Sequence, residues 1–205
     1  MVLTIDIGNT TIGIGGFQGN KLLFIEKISS RRPLSDAGYI EKLNMILNKH
    51  GLSAEAFEGS MISSVVPSVT AVFSSALETF LGRKPLILSH KLDLGYEICT
   101  EFPEKVGCDR LADIAGAISR YSLPFVTIDL GTATTFNVLD ENRRFLGGLI
   151  LPGVGTAHRA LLGKTAQLPK GDIHMPAHTI GANTQECITG GMLLGNACAI
   201  DGLIR

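Results

Sequence analysis

Two copies of one short pattern constrain the fold more than any other feature of the sequence. The copies run from Asp6 to Thr11 (DIGNTT) and from Asp129 to Thr135 (DLGTATT). In each, an apolar run typical of a strand ends in an aspartate, and a glycine and hydroxyl residues follow. Glycine lets the backbone approach an anion closely, and N–H groups and hydroxyls donate hydrogen bonds to phosphate oxygens. Because a carboxylate repels phosphate, we expect each aspartate to hold a neutralising cation. The pair predicts nucleotide binding.

One copy alone would be ambiguous, because a strand that ends in a tight turn has the same composition. The residues that follow make the repeat more persuasive. The first copy precedes a polar turn at 18–20 and a strand pattern at 21–28, and the second precedes a polar turn at 140–142 and a strand pattern at 143–150. Both segments predict strand, phosphate turn, strand, polar turn and strand. The sequence therefore predicts an internal duplication.

The segment between the two copies alternates helical and strand patterns. Helices are predicted over 36–50, where apolar residues recur at helical spacing, and from Ser68, a candidate N-cap, to Gly82. Strands are predicted over 61–66 and 85–88. Strands that alternate with helices indicate an α/β fold with parallel pairing.

The last stretch, 190–204, is apolar almost all round. A helix of this composition requires burial on several sides. We expect it to lie in the core, and a subunit interface is the alternative. If the helix were exposed, it should aggregate or dimerise.

The composition is that of an ordinary globular protein. The chain has 205 residues, 45% of them hydrophobic, and a formal net charge of −1. Near-neutral charge without a Lys/Arg block argues against nucleic acid or a membrane surface as the main partner. The N-terminus lacks the basic region of a signal peptide, and no apolar run reaches about 20 residues. Four cysteines without metal-ligand spacing indicate reduced thiols. We therefore expect a cytoplasmic protein.

A third pattern, Gly107-Cys108-Asp109-Arg110, begins a predicted helix. Gly107 permits a sharp turn, Asp109 lies where the helix dipole favours an anion, and Arg110 supplies a planar cation. On this local pattern alone, an Asp-Arg cap is the simpler interpretation. The phosphate turns favour catalysis, because a kinase also needs a carboxylate that orients and deprotonates the acceptor hydroxyl. Asp109 is the candidate base.

Six motifs in a fixed order make the sequence similar to the type III pantothenate kinases. They are DIGNT (6–10), ISSVVP (62–67), VGCDRL (106–111), DLGTATT (129–135), LGG (146–148) and IGANT (180–184). The resemblance covers essentially the whole chain. It implies the fold of the acetate and sugar kinase, Hsp70 and actin superfamily, with two ribonuclease H-like domains, here 1–122 and 123–205. It also implies a cytosolic homodimer that phosphorylates the 4′-hydroxyl of pantothenate in the first step of coenzyme A biosynthesis.

The same resemblance implies how ATP and the cations bind. Residues 6–13 would form the first phosphate loop, with Asp6 close to Mg²⁺, and Asp129 would hold a monovalent cation, K⁺ or NH₄⁺. Thr132 would contact an ATP phosphate. The candidate ATP-binding residues are Asp6, Ile7, Gly8, Asn9, Thr10, Thr11, Ile12, Gly13 and Thr132, and the candidate metal ligands are Asp6 and Asp129.

For pantothenate, the resemblance implies that Asp109 accepts the proton of the primary hydroxyl and that Arg110 pairs with the carboxylate region. Thr184 would reach pantothenate across the dimer interface. The candidate substrate-binding residues are Thr100, Gly107, Cys108, Asp109, Arg110 and Thr184.

The sequence departs from the family pattern at three points. The family's Tyr-x-Asn-Pro reads Thr100-Glu101-Phe102-Pro103 here, and Tyr96 would replace that tyrosine only in a rearranged loop. A common lysine is Ala182. The chain ends at Arg205, so we expect a truncated second domain, in either a shortened protein or a fragment. Two hypotheses follow, an active pantothenate kinase and a weak or inactive relative with a regulatory or accessory role.

Overall fold

The first strand of the chain lies at the centre of a five-stranded sheet. Strands β1 (Val2–Ile7), β2 (Thr11–Gln18) and β3 (Lys21–Ser29) form an antiparallel meander. On its other side β1 pairs in parallel with β4 (Gly59–Ser64), which pairs in parallel with β5 (Leu86–Ile87), so the order is β3-β2-β1-β4-β5. The prediction of a mixed α/β fold with parallel pairing is confirmed.

Two helices contribute to the core of this sheet. Helix α1 (Asp36–Lys49) begins after Ser35, whose hydroxyl accepts a hydrogen bond from the Gly38 N–H. It buries one stripe of side chains, and helix α2 (Pro67–Leu81) buries another. The buried members of the two stripes are Tyr39, Leu43, Ile46, Leu47, Val69, Phe73, Ala76 and Leu77.

The predicted start of α2 is wrong, whereas its predicted end is confirmed. Pro67, and not a residue after Ser68, occupies the first helical position, because an amide without N–H loses no helical hydrogen bond there. Val66 is the N-cap and makes no side-chain capping bond. Gly82 ends the helix in the left-handed conformation, at φ 67°.

A second sheet contains β6 (Glu97–Ile98), β7 (Phe125–Leu130), β8 (Ala133–Leu139) and β9 (Arg144–Pro152), in the order β6-β9-β8-β7. The predicted succession of strand, turn, strand, turn and strand is therefore observed after both aspartates. Helix α3 (Cys108–Ile118) buries Leu111, Ile114 and Ala117.

The structure, a computed structural model, describes residues 1–165, 169 and 171–205, and the chain divides into two units. Unit 1 comprises Met1–Thr127 and Asn137–Gly147, and unit 2 comprises Ile128–Phe136 and Gly148–Arg205.

Unit 2 contains helices α4 (Val154–Lys164) and α5 (Thr184–Ile204). The expectation that the apolar C-terminal stretch lies in the core is wrong. Only Ile188, Thr189 and Gly190 of α5 are buried. By length and composition this helix is apolar enough to cross a membrane, which for a single helix is weak evidence. Its exposure keeps the subunit-interface alternative open.

Candidate active site

The turn after β1 is closed by its own backbone. The Gly8 N–H donates to the Thr11 carbonyl at 2.9 Å, and the Ser30 N–H donates to the Thr10 carbonyl at 3.1 Å. The Gly8 amide is therefore committed to the turn. Asp6 is exposed at the end of β1, in register with Gly13 of β2 on one side and Ser63 of β4 on the other. The turn thus presents a carboxylate beside a short run of hydroxyl and amide side chains.

Two residues of this predicted phosphate loop contribute no side chain to it. Ile7 and Ile12 are fully buried in the hydrophobic core of the first sheet. They pair with each other across β1 and β2. Their role in anion binding is therefore limited to backbone atoms, and their side chains fix the turn to the sheet.

The second turn, in unit 2, is built on glycines. The Gly131 N–H donates to the Ala133 carbonyl at 2.9 Å. A Cβ at Gly131 would lie 3.3 Å from Asp129 Oδ2, so the Asp129 carboxylate lies over this glycine. The Thr132 carbonyl accepts from the Gly153 N–H at 3.1 Å and from the Thr156 hydroxyl at 2.7 Å.

Gly153, which the sequence interpretation missed, determines how closely α4 approaches this turn. A Cβ at Gly153 would lie 2.1 Å from the Gly131 carbonyl oxygen and 2.9 Å from the Thr132 carbonyl oxygen. Both are backbone atoms, so no side-chain rotation relieves the clash. Its φ of −64° is open to any residue, and therefore the requirement for glycine is one of space.

A cavity of about 340 Å³ adjoins the second turn within unit 2. Gly131 lines it from the turn, Thr134 from the start of β8, and Val154 and Gly155 from the start of α4. Its volume is in the range of small-molecule sites, about 300–1,000 Å³. One face of α5 completes the lining, with Leu193, Asn196, Ala197 and Ile200 at helical spacing. The sequence did not predict this cavity, because a helix that is apolar all round does not indicate which face lines a site.

In unit 1, α3 begins with a compact arrangement of Gly107, Asp109 and Arg110. Asp109 Oδ1 accepts a hydrogen bond from the Arg110 N–H at 2.8 Å. A Cβ at Gly107 would lie 2.5 Å from the same oxygen. The φ of Gly107 is −59°, which any residue adopts, so backbone conformation does not require glycine here. The residue is instead small enough to admit the Asp109 carboxylate.

The Arg110 side chain is held by residues from two strands of the second sheet. Its Nε–H donates to Asn137 Oδ1 at 2.5 Å, and its guanidinium carbon lies 5.4 Å from the centre of the Phe145 ring. Burial lowers the pKa of Arg110, and the charges of Asp109 and Asp113 oppose that shift. The guanidinium remains a cation at physiological pH. Asn137 carries no motif of its own and was missed by the sequence interpretation.

The Cys108 side chain bonds inside the protein. Its Sγ–H donates to the Leu88 carbonyl at 3.1 Å. Burial, and to a lesser extent the Asp109 charge, raises the pKa of the Cys108 thiol, while a backbone hydrogen bond from Ser64 opposes the shift. The thiol is therefore a poor nucleophile.

Thr100 and Tyr96 are the two residues considered in place of the family's tyrosine. The Thr100 hydroxyl is buried and has no hydrogen-bond partner among the residues that the structure describes. The Tyr96 hydroxyl donates to the Leu111 carbonyl at 2.9 Å, and burial raises its pKa. Tyr96 thus supports α3 through this bond.

Thr184 is the first residue of α5 and is exposed. The helix start is fixed around it by reciprocal bonds: Asn183 Oδ1 accepts from the Glu186 N–H at 3.0 Å, and Glu186 Oε2 accepts from the Ala182 N–H at 2.9 Å. The bond from Ala182, followed by that with Asn183, lowers the pKa of Glu186. The cap fixes the backbone at the start of α5, where Thr184 lies.

The predicted site residues therefore fall into separate groups. Contacts in unit 1 join Gly107, Asp109 and Arg110 at the start of α3, and Asp6 lies at the end of β1 in the same unit. Asp129, Thr132 and Thr184 belong to unit 2. Among the described residues, no group of three or more His, Cys, Asp or Glu side chains forms a metal cluster.

The mixed α/β fold of the chain is also found in a solved structure. That structure, described as a conserved putative Baf family transcriptional activator from Campylobacter jejuni, is similar with a TM-score of 0.56 at 16% sequence identity. The likeness covers 98% of this chain and 78% of that one, and at this identity it concerns the fold alone.

The sequence comparisons define the family. The profile of the type III pantothenate kinase family matches residues 2–205. A type III pantothenate kinase of Thermomicrobium roseum is 37% identical over 205 residues, which is 100% of this chain and 79% of the relative. One of Dictyoglomus turgidum is 36% identical, with 80% of the relative covered. The chain belongs to the type III pantothenate kinase family, and no finding favours the alternative of an inactive relative.

Proposed function

We propose that the protein transfers the γ-phosphoryl group of ATP to the 4′-hydroxyl of pantothenate, the first step of coenzyme A biosynthesis. The match of the family profile over residues 2–205 carries this proposal. The Asp109 and Arg110 pair at the start of α3 supports it, because a kinase acting on a carboxylate-bearing alcohol needs one anionic and one cationic group.

Asp109 is the proposed general base. It accepts the proton of the hydroxyl while that oxygen forms a bond to the γ-phosphorus, and the bond from the γ-phosphorus to the β,γ-bridging oxygen breaks to release ADP. The hydrogen bond from the Arg110 N–H to Asp109 Oδ1 fixes the carboxylate rotamer. Arg110 binds the substrate's carboxylate and so orients the other end of the molecule.

Asp6 is the proposed Mg²⁺ ligand. Mg²⁺ is usually held in kinases by one or two carboxylates, waters and the phosphates themselves, and it neutralises phosphate charge when bound. A single exposed carboxylate beside a hydroxyl-rich turn fits this donor set. The remaining residues of the loop, 7–13, hold the phosphates with hydroxyl groups and with backbone donors other than the Gly8 N–H, which closes the turn.

Asp129 and Thr132, both in unit 2, have proposed roles of their own. Asp129 holds the monovalent cation, K⁺ or NH₄⁺, and Thr132 contacts a phosphate. The cavity beside them, with its apolar α5 face and Asn196, suits a nucleoside. Thr100 and Thr184 contact pantothenate, and Thr184 does so from the partner protomer of a cytoplasmic homodimer. Two ribonuclease H-like halves, with a boundary at 122/123, complete the proposed architecture.

Coupled detection of ADP tests this function. Purified protein with ATP, Mg²⁺, K⁺ and pantothenate should release ADP, and omission of pantothenate should abolish the release. ADP release that does not require pantothenate, or none at all, would contradict the proposal. Replacing K⁺ with Na⁺ should lower the rate, and an unchanged rate would remove only the assignment of the cation at Asp129.

A further inference from the structure

A buried amide connects the start of α3 to the second sheet. Asn137 on β8 is completely buried. Its Oδ1 accepts from Arg110 Nε at 2.5 Å, and its Nδ2 donates to Thr127 Oγ1 of β7 at 3.0 Å. A buried amide is costly unless hydrogen-bonded, and these two bonds give the oxygen and the nitrogen of the Asn137 amide one partner each. The guanidinium is thereby tied to a rigid element 27 residues away.

The direction of this chain of bonds is fixed by chemistry. A guanidinium has only donors, so the amide atom that faces Arg110 Nε is the oxygen. The amide nitrogen must then face Thr127, whose hydroxyl accepts. Asn137 therefore acts as an acceptor for Arg110. A flipped amide would place its NH₂ group, a donor, against the Nε–H of Arg110.

Phe145 restrains the same guanidinium from a second direction. The Arg110 guanidinium carbon lies 5.4 Å from the centre of this fully buried ring, within the roughly 6 Å reach of a cation–π contact. A planar group that is held at its Nε edge and over an aromatic ring has a defined plane. That plane matters because a carboxylate is recognised by two parallel N–H groups.

We propose that Asn137 is a positioning residue for pantothenate recognition, which sets the plane of Arg110 so that the guanidinium meets the substrate's carboxylate. The proposal rests on the proposed function, in which Arg110 binds that carboxylate. Asn137 itself does not touch the substrate. It selects for substrates with an anionic end, because only those benefit from the oriented cation.

Steady-state kinetics of Asn137→Leu test this role. Leucine has nearly the same shape but no acceptor, so Arg110 loses its anchor. We expect KM for pantothenate to rise about 10- to 100-fold, the loss typical of a hydrogen bond to a charged group, and KM for ATP to stay within about twofold. Thr127→Val is the matched control, because the bond from the amide to the guanidinium survives, and its KM for pantothenate should rise less than about fivefold. An unchanged KM for pantothenate in Asn137→Leu, or an equal rise for both substrates, would overturn the proposal.

A double-mutant comparison separates positioning from folding. In an Arg110→Met background no guanidinium remains to be oriented, so adding Asn137→Leu should change kcat/KM for pantothenate by less than about twofold. A full second loss in that background would show that Asn137 supports only the fold. If Asn137→Leu does not fold, Asn137→Ser replaces it, and KM for pantothenate should again rise more than KM for ATP. A wild type that fails to phosphorylate pantothenate removes the proposed function, whereas an active wild type with an unaffected Asn137→Leu removes this inference alone.

Discussion

The carboxylate of Asp109 occupies the space that a side chain at Gly107 would need. A Cβ at Gly107 would lie 2.5 Å from Asp109 Oδ1 and 3.6 Å from Val65 Cγ1. The nearest atom is the end of a side chain and not backbone, so a methyl group can be accommodated if the carboxylate moves. The proposed base and the residue before its helix are therefore coupled through space.

Gly107→Ala should fold normally and lose turnover. Its φ of −59° suits alanine, but the methyl group displaces the Asp109 carboxylate. A shift of about 1 Å at a catalytic group lowers the rate by about 100-fold, and we expect a loss of kcat of that order with little change in Tm. Gly116→Ala is the control. Gly116 lies on the same helix, a Cβ added there meets no neighbouring atom within 4 Å, and the variant should keep full activity. An unchanged kcat in Gly107→Ala would show that the position of Asp109 does not limit catalysis.

Gly153→Ala should damage the second phosphate turn. The added methyl group would lie 2.1 Å from the Gly131 carbonyl oxygen, so either α4 or the turn must move. Overpacking of this kind typically lowers the free energy of unfolding by about 1–3 kcal/mol. We expect that loss, measured by denaturant unfolding, together with a higher KM for ATP. In Gly163→Ala, in the last turn of α4, the added methyl group meets no atom within 4 Å, so stability should not fall. Equal stabilities of the two variants would contradict the close packing at Gly153.

Cys108 should resist alkylation. Burial raises the pKa of the Cys108 thiol, so at neutral pH a smaller fraction of it is the reactive thiolate than in an ordinary cysteine. Iodoacetamide followed by mass spectrometry should label the exposed Cys198 before Cys108, and the rate at Cys108 should increase only at more alkaline pH. Rapid labelling of Cys108 at neutral pH would contradict the observed environment of the thiol.

The cap of α5 should give stability a specific dependence on pH. Hydrogen bonds from the Ala182 N–H and with Asn183 lower the pKa of Glu186 in the folded chain. A carboxylate whose pKa is lowered in the folded chain contributes stability above its pKa in the unfolded chain, which is about 4.3 for glutamate. That contribution is lost as the pH falls through the lowered pKa of the folded chain. Glu186→Gln should therefore flatten the decline of Tm between about pH 5 and pH 3. Asp201→Asn, at the other end of α5, controls for loss of charge, and an identical decline in both variants would count against the cap.

Local chemistry made much of this structure predictable. The strand, turn and strand around Asp6 follow from alternating apolar residues and a glycine turn, and the end of α2 follows from Gly82. The pattern around Asp109 predicted the start of a helix with an aspartate and an arginine in its first turn. Each of these features depends on residues that are close in sequence.

The features that were missed depend on distant residues or on space. Arg110 and Asn137 meet across 27 positions, and nothing local to either predicts the contact. Gly107 and Gly153 both have ordinary φ values, so their requirement for glycine is visible only when the neighbouring carboxylate or carbonyl is in place. The exposure of α5 contradicted the expectation from its composition, because composition does not say which surface covers an apolar helix.

The transfer of the γ-phosphoryl group to pantothenate by wild type and by Asp109→Asn tests the central claim most directly. Product formation is measured by ³¹P NMR with ATP, Mg²⁺ and K⁺. We expect the wild type to form 4′-phosphopantothenate and the variant, which keeps the shape of the side chain but not the base, to be about 10²- to 10⁴-fold slower. Absence of 4′-phosphopantothenate with the wild type would contradict the assigned reaction, and equal rates for the two proteins would contradict the role of Asp109.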